Sequence, residues 1–230
     1  EAFLMAYHLN IIRQEYGRRT LLHDLRQDYA AGRIHGFLGE NGAGKTTLFR
    51  CMAGRLSFEG EPMFSPETRV GFLPAELYMY PMITGREFLR FYVTARGLPY
   101  DAARLERLNA AFELPLDEYA EVYSTGMLKK LYLMGLLLQD NAVLLLDEPF
   151  NGLDFRSSAF VTALLTEYRR RGQTVFVALH DLDHLLSYAD TLSWLRCGTM
   201  TYYPDRTVFE DVRQAIRREA AERVQGADLL

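Results

Sequence analysis

Short apolar runs alternate with amphipathic stretches along most of the chain. Residues 34–38, 143–146 and 174–179 form short, mainly apolar runs, and such runs predict strands that are buried on both faces. Other segments carry apolar residues three or four positions apart, which predicts helices. Strands that alternate with helices in this way predict an α/β fold around a largely parallel sheet.

The predicted elements divide the chain into α/β parts and one helical insertion. Consecutive helical patterns at 84–96, 101–112 and 126–138 interrupt the alternation and predict an inserted helical lobe. The remaining predicted strands cover 7–16, 21–29, 70–73 and a hairpin of 192–196 with 199–203. The remaining predicted helices cover 45–53, 156–170, 181–188 and 209–224.

Composition limits the possible classes of function. The chain has 230 residues, enough for one large domain or two closely packed lobes, and 49% of them are hydrophobic. A net charge of −4 argues against a dedicated nucleic-acid binder. Cys51 and Cys197 show no metal-binding spacing, so a disulfide framework is not expected and a reducing compartment fits. Polar residues at 139–141 break the most apolar region, so no membrane-spanning helix is predicted.

A glycine-rich segment between a predicted strand and a predicted helix fits the phosphate-binding pattern G-x-x-x-x-G-K-[ST]. Gly42 and Gly44 allow the backbone N–H groups to turn inward, where they and the helix N-terminus would bind phosphates. Lys45 would reach the β- and γ-phosphates, and the Thr46 hydroxyl would ligate Mg²⁺. The complete loop consists of Gly39, Glu40, Asn41, Gly42, Ala43, Gly44, Lys45, Thr46 and Thr47.

Two carboxylates follow an apolar run about a hundred residues after this loop. Asp147 would end a buried strand at the edge where open α/β sheets bind ligands, and we expect it to hold Mg²⁺ through water. Glu148 would polarise an attacking water, and general-base catalysis typically contributes about 10²–10⁴ in rate. Loop and carboxylates together predict a site for a nucleotide, Mg²⁺ and hydrolysis.

A second helix start also has residues suited to an anion. Ser124 precedes the apolar helix predicted at 126–138 as a candidate N-cap, and Gly126 would permit close approach of a ligand. An ordinary helix cap is the alternative. One nucleotide does not readily use two such termini from one chain, whereas two chains that face each other head to tail could share them.

With these motifs in order, the chain resembles the ATP-binding subunit of an ABC transporter over nearly its whole length. Gly39–Thr47 is similar to the Walker A motif of that family, and 144–148 to its Walker B motif with the catalytic glutamate. Residues 124–128 are similar to its signature, and 151–154 to its D-loop. His180 resembles the switch histidine, and Tyr16 the aromatic residue that stacks on adenine. The signature resembles that of exporter-type subunits.

The resemblance implies a fold, cofactors and partners. It implies a P-loop NTPase core with a mostly parallel sheet, an N-terminal antiparallel β subdomain and a helical subdomain at about 76–140, within one domain over 1–230. ATP and Mg²⁺ are the implied cofactors, with Lys45, Glu148 and His180 as catalytic residues. The implied partners are a second nucleotide-binding subunit, in a homo- or heterodimer, and an integral membrane permease. The implied location is cytoplasmic, at the inner face of the cell membrane through that partner, without nucleic acid.

The sequence departs from the family pattern in two places. Tyr123, Thr125 and Met127 replace three positions of the usual Leu-Ser-Gly-Gly-Gln signature. Ala75, followed by Glu76, stands where the Q-loop glutamine is expected, and a carboxylate there would meet Mg²⁺ differently from an amide.

Other interpretations stay open from the sequence. Alternative functions are a soluble ABC-type ATPase without a transporter, a non-catalytic nucleotide sensor and a small-molecule kinase. His180 and His184, four positions apart, could hold zinc with neighbouring aspartates, although a switch histidine is the preferred interpretation. Residues 77–82 either pack within the helical lobe or form an apolar groove for a partner's helix.

Overall fold

The computed structural model describes residues 6–226, which form an α/β fold. The strands are β1 (Ala6–Tyr16), β2 (Arg19–Ala30), β3 (Ile34–Leu38), β4 (Glu59–Glu61), β5 (Val70–Leu73), β6 (Val143–Asp147), β7 (Thr174–Leu179), β8 (Thr191–Arg196) and β9 (Thr199–Tyr203). The α-helices are α1 (Lys45–Met52), α2 (Gly85–Thr94), α3 (Ala102–Phe112), α4 (Thr125–Leu138), α5 (Phe155–Arg170), α6 (Leu182–Tyr188) and α7 (Phe209–Gly226). Short 3₁₀ helices lie at Ala120–Val122 and Arg206–Val208.

The central sheet has the strand order β5-β6-β7-β3-β8-β9. Neighbouring strands pair in parallel, except that β9 returns antiparallel to β8. Strands β3, β6 and β7 are buried along their whole length, because layers of structure cover both faces of the sheet. The carboxyl ends of these three neighbouring strands lie at one edge, so the loops that follow them are brought together.

Alternate side chains of the central strands enter two different cores. One core contains the helical side of the molecule, including α4 and α5, and the other contains α1 with an antiparallel sheet of order β2-β1-β4. The period of two along a strand explains this division. Leu144, Leu146, Val175 and Val177 enter the first core, and Val143, Leu145 and Phe176 enter the second.

The inserted helices begin at side-chain caps. Thr84 and Glu87 form a reciprocal capping box at α2, and Asp101 caps α3. Ser124 accepts a hydrogen bond from the Met127 N–H at the start of α4, as its predicted cap role requires. These caps determine where the helices of the insertion begin.

The predicted fold class is confirmed: a mostly parallel sheet, an N-terminal antiparallel β sheet and a group of inserted helices. The sequence analysis missed β4, whose residues are all exposed and carry no apolar alternation. The single domain over 1–230 and its helical subdomain at about 76–140 stay predictions. Residues 1–5 and 227–230 of that domain lie outside the described residues.

A fully buried histidine of β3 connects the central sheet to β2 of the antiparallel sheet. His35 Nε2 donates to the Ala30 carbonyl oxygen at 2.9 Å, and Nδ1 lies 2.8 Å from the Thr191 hydroxyl, which must therefore donate. Burial lowers the pKa of His35 to about 4, against an opposing effect of the bond to Ala30. The folded protein thus keeps this imidazole neutral.

We predict that acid destabilises the fold through His35. Between about pH 6.5 and pH 4 the unfolded chain binds a proton that the folded imidazole does not, so the free energy of unfolding falls as the pH falls. From about pH 7 to pH 5 the loss through this group should be roughly 2 kcal/mol. Urea unfolding at both pH values measures it, and His35→Gln should lose less stability over that interval. An equal loss in the variant would contradict this assignment.

Candidate functional site

Three loops from adjacent strands form the candidate site. The loop of residues 39–44 follows β3, Glu148 follows β6, and His180 follows β7. Because β7 pairs with both β3 and β6, it holds the other two strands in register: Leu38 pairs with Leu179, and Asp147 with Ala178. The topology therefore brings together the predicted phosphate loop, the acidic pair and the histidine.

The phosphate loop needs glycine at two close contacts. A Cβ on Gly39 would lie 2.8 Å from the Leu195 carbonyl oxygen, so a side chain there would clash with backbone. Gly44, the N-cap of α1, has φ 105°, which an L side chain rarely adopts, and a Cβ there would lie 2.9 Å from Leu22 Cδ2. The loop leads directly into α1, whose N-terminal N–H groups are suited to bind an anion.

Lys45 lies across the base of this loop. Its ammonium donates to the Gly39 carbonyl oxygen at 2.7 Å and to the Glu40 carbonyl oxygen at 3.3 Å. Nζ also lies 3.5 Å from Glu148 Oε1. The side chain is buried, so its charge acts where solvent screening is weak.

Asp147 is the most unusual carboxylate in the described part of the chain. It is fully buried, and neither oxygen reaches hydrogen-bond geometry with a donor among residues 6–226. Burial raises its pKa, while the nearby Thr46 hydroxyl lowers it and the Glu148 charge raises it further. A buried carboxylate without a donor is costly unless a cation compensates it, which fits a magnesium ion held together with Thr46.

Glu148 connects the three loops. Its carboxylate accepts a hydrogen bond from His180 Nδ1 at 3.1 Å, and its other oxygen faces Lys45. The side chain of His180 is about half exposed, whereas Glu148 is buried. The Glu148 backbone has φ 50°, a left-handed conformation that costs a non-glycine residue about 1–3 kcal/mol and is common at functional sites.

The residues that resemble the signature lie at the start of α4 and contact Gly152, in the segment that resembles the D-loop. A Cβ on Gly126 would lie 3.0 Å from the Gly152 carbonyl oxygen, and one on Gly152 would lie 3.0 Å from Thr125 Cγ2. Packing within one chain is thus one reason why position 126 is glycine. The predicted close approach of a ligand would be a second reason. Tyr123, in place of the usual leucine, is buried and donates to the Pro115 carbonyl oxygen at 2.6 Å.

Tyr16 lies at the end of β1, just before the turn into β2, and 79% of its surface is exposed. An aromatic ring that is this exposed can be reached by a ligand, and its stacking on adenine stays a prediction. Sequence reasoning missed another residue at the site: Lys129 of α4 is buried and donates to the Glu148 carbonyl oxygen.

A groove of roughly 800 Å³ lies between the helical lobe and the α/β core. Tyr78 and Tyr80, from the segment after Ala75, are 67% and 55% exposed, and their rings form an edge-to-face pair 5.3 Å apart. Met82 in the same segment is also exposed. The side chains that line the groove include Phe58, Met63, Tyr80, Phe88, Phe91 and Tyr132.

The two candidate zinc ligands have separate surroundings. His180 faces Glu148, whereas His184 packs on Phe150, with ring centroids 4.1 Å apart, and lies 3.2 Å from the Thr162 hydroxyl. No group of three or more histidine, cysteine or acidic side chains suited to a metal occurs among residues 6–226. Within the same range, no helix is long and apolar enough to cross a membrane.

Comparisons with known proteins show the family to which the chain is related. A family model described as ABC transporter matches residues 22–151. The zinc import ATP-binding protein ZnuC of Halorhodospira halophila is 34% identical over 189 residues, which cover 80% of this chain and 71% of that protein. The SkfA peptide export ATP-binding protein SkfE of Bacillus subtilis is 33% identical over 184 residues, covering 74% and 76%.

A solved structure of an ATP binding subunit of an ABC transporter has the same fold. Its TM-score is 0.73 at 23% sequence identity, with 85% of this chain and 89% of that chain covered. The family match spans more than half of the chain, and two relatives exceed 30% identity over most of their length. The chain therefore belongs to the ABC transporter family of ATP-binding proteins, whose members are ATPases coupled to transport.

Proposed function

We propose that this chain hydrolyses ATP with Mg²⁺ at the site formed by Lys45, Asp147, Glu148 and His180. In this proposal the 39–44 loop and the α1 N-terminus hold the phosphates, and Tyr16 stacks on adenine. Thr46 and Asp147 hold Mg²⁺, which would screen charge on the phosphates. Glu148 orients and polarises the attacking water, and His180 holds the Glu148 carboxylate through its Nδ1–H.

One observation supports the proposal most strongly: the buried carboxylate of Asp147 has no donor among the described residues. A structural carboxylate at this depth would ordinarily be paired. Its position beside Thr46 and the glycine loop suits a cation that also binds phosphate oxygens. Glu148, the next residue, has its carboxylate between Lys45 and His180, where it could act on a water near such a cation.

We further propose that two copies, or this chain and a related subunit, close around two ATP molecules. Each nucleotide would contact the phosphate loop of one chain and Ser124 and Gly126 of the other. Ser124 is exposed, and its recorded hydrogen bond is to its own helix, so a second chain can reach it. The arrangement is symmetric, because each chain supplies both halves. ATP would hold the dimer closed, and hydrolysis would reopen it.

The membrane partner is proposed to bind at the groove beside Tyr78 and Tyr80. Exposed aromatic side chains beside an apolar groove are typical of an interface. The chain would thereby act at the cytoplasmic face of the cell membrane through a permease. The signature sequence and the relative named for peptide export support an exporter-type subunit.

We predict that Glu148→Gln binds ATP but loses most turnover, because the amide keeps the size of the side chain and removes the base. The expected loss is about 10²–10⁴ in kcat. The variant should also accumulate an ATP-bound dimer, which light scattering detects. Hydrolysis at the wild-type rate would move the catalytic role to another residue, with His180 the next candidate.

We predict that Lys45→Ala and Ser124→Arg, each inactive alone, regain activity when mixed. In a mixed dimer one composite site loses both residues and the other keeps both, so in a statistical mixture about a quarter of all sites are intact. ATPase assays of each variant and of the mixture measure the recovery. Mixed dimers that form without any recovery would contradict shared sites.

We predict that replacing Tyr78 and Tyr80 by Asp spares the ATPase activity of the isolated subunit and weakens capture of the permease, because burying two unpaired charges is costly. Co-purification with the membrane subunit and ATPase assays of the free subunit measure the two effects. Replacing the same two tyrosines by Phe, which keeps the rings and adds no charge, is the control. Loss of folding or of free ATPase activity in the double variant would assign these tyrosines to the core.

A further inference from the structure

The chain uses lysine very sparingly. Arginine supplies nearly all of the 26 basic residues, and lysine occurs only at positions 45, 129 and 130. Lys45 belongs to the phosphate loop. Lys129 and Lys130 lie together in α4, the helix that Ser124 caps. Because arginine provides the general surface charge of this chain, a lysine in this helix is expected to have a specific role.

Lys129 is buried, with 1% of its surface exposed, in a helix that is otherwise apolar on this side. Its ammonium donates a hydrogen bond to the Glu148 carbonyl oxygen, the acceptor that the structure records for it among residues 6–226. Burial lowers the pKa of Lys129 to about 8, although the charges of Glu148 and Asp147 act in the opposite direction. A buried ammonium is costly, so its retention indicates a specific task.

The Glu148 peptide is held on both sides. Its N–H donates to the Ala178 carbonyl oxygen of β7 at 3.0 Å, and its carbonyl oxygen accepts from Lys129 and, at 3.3 Å, from the Asn151 N–H. These bonds fix a left-handed backbone at a non-glycine residue, and that backbone aims the carboxylate between Lys45 and His180. Of these donors, Lys129 alone comes from the inserted helices.

We propose that Lys129 is a positioning residue, whose ammonium holds the Glu148 backbone so that the carboxylate lies between Lys45 and His180. This proposal rests on the role proposed above for Glu148. The hydrogen bond from Lys129 also joins α4, the helix that Ser124 caps, to the residue that would activate water. A displacement of α4 would therefore act directly on the Glu148 peptide.

The test compares Lys129→Met, Lys129→Leu and Lys129→Gln with the matched control Lys130→Met. Methionine and leucine fill the space without donating, glutamine retains a neutral donor, and the control removes the adjacent, half-buried lysine of the same helix. Steady-state kinetics give kcat and KM for MgATP, and thermal unfolding confirms that each variant is folded. Two apolar variants keep the test valid if one of them does not fold.

The apolar variants should lower kcat by about tenfold or more while KM for ATP stays within about threefold. Lys129→Gln should recover a substantial part of kcat, because its amide can still donate towards the Glu148 carbonyl. Lys130→Met should retain most of the wild-type kcat. A folded Lys129→Met or Lys129→Leu variant with kcat within about twofold of wild type would overturn the proposal.

A double-mutant cycle separates this proposal from the one on which it rests. In single-turnover assays, Lys129→Met should change the residual rate of Glu148→Gln by less than about twofold, because the two residues act through one group. An equal loss in both backgrounds would overturn the positioning role. Wild-type turnover by Glu148→Gln alone would instead overturn the role of Glu148, and the inference about Lys129 with it.

Discussion

The parallel pairing of β3, β7 and β6 is the constraint on which the candidate site depends. These strands are buried on both faces, so their register is fixed by two cores at once, and a shift by one residue would exchange the side chains of both. The loops after them therefore leave the sheet at fixed relative positions. Lys45, the adjacent pair Asp147 and Glu148, and His180 are far apart in sequence and meet because β7 lies between the other two strands.

This site places several ionisable groups where solvent is scarce. Lys45, Lys129, Asp147 and Glu148 are all buried, so each charge depends on a neighbour for compensation. The two ammonium groups reach backbone carbonyl oxygens, and Glu148 reaches His180. Asp147 differs from the other three because no donor among the described residues satisfies it. The arrangement is thus costly to fold and suited to a ligand that brings both negative phosphates and a cation.

Much of the fold was predictable because its signals are local. The central strands appear as apolar runs, and the phosphate loop and the acidic pair are linear motifs whose positions at strand ends follow from the pattern. Strand β4 was not predictable, because Glu59, Gly60 and Glu61 are exposed and join the sheet through backbone pairing to β1. A Cβ on Gly60 would lie 2.1 Å from the Asn10 carbonyl oxygen, a contact visible only in three dimensions.

The burial of Lys129 could not be predicted from the sequence for a different reason. In an amphipathic helix a lysine ordinarily marks the solvent side, so the helical period alone places it outside the core. Its burial depends on the path of the residues after β6, which bring the Glu148 carbonyl to α4. The rarity of lysine in the chain was the available signal. The spacing of His184 from His180 left metal ligation open as an alternative, and in the structure the His184 ring packs on Phe150.

Because lysine is rare in this chain, a reagent that reacts with amines would modify few of its side chains. Of its three lysine side chains, Lys129 is buried and Lys45 is enclosed by the loop that would bind phosphate, which leaves Lys130 as the most accessible. An acylating reagent would thus modify few positions, and nucleotide would compete with it at Lys45 alone. Mass spectrometry of the modified lysines would then measure occupancy of the phosphate loop directly, without a fluorescent analogue or a coupled enzyme.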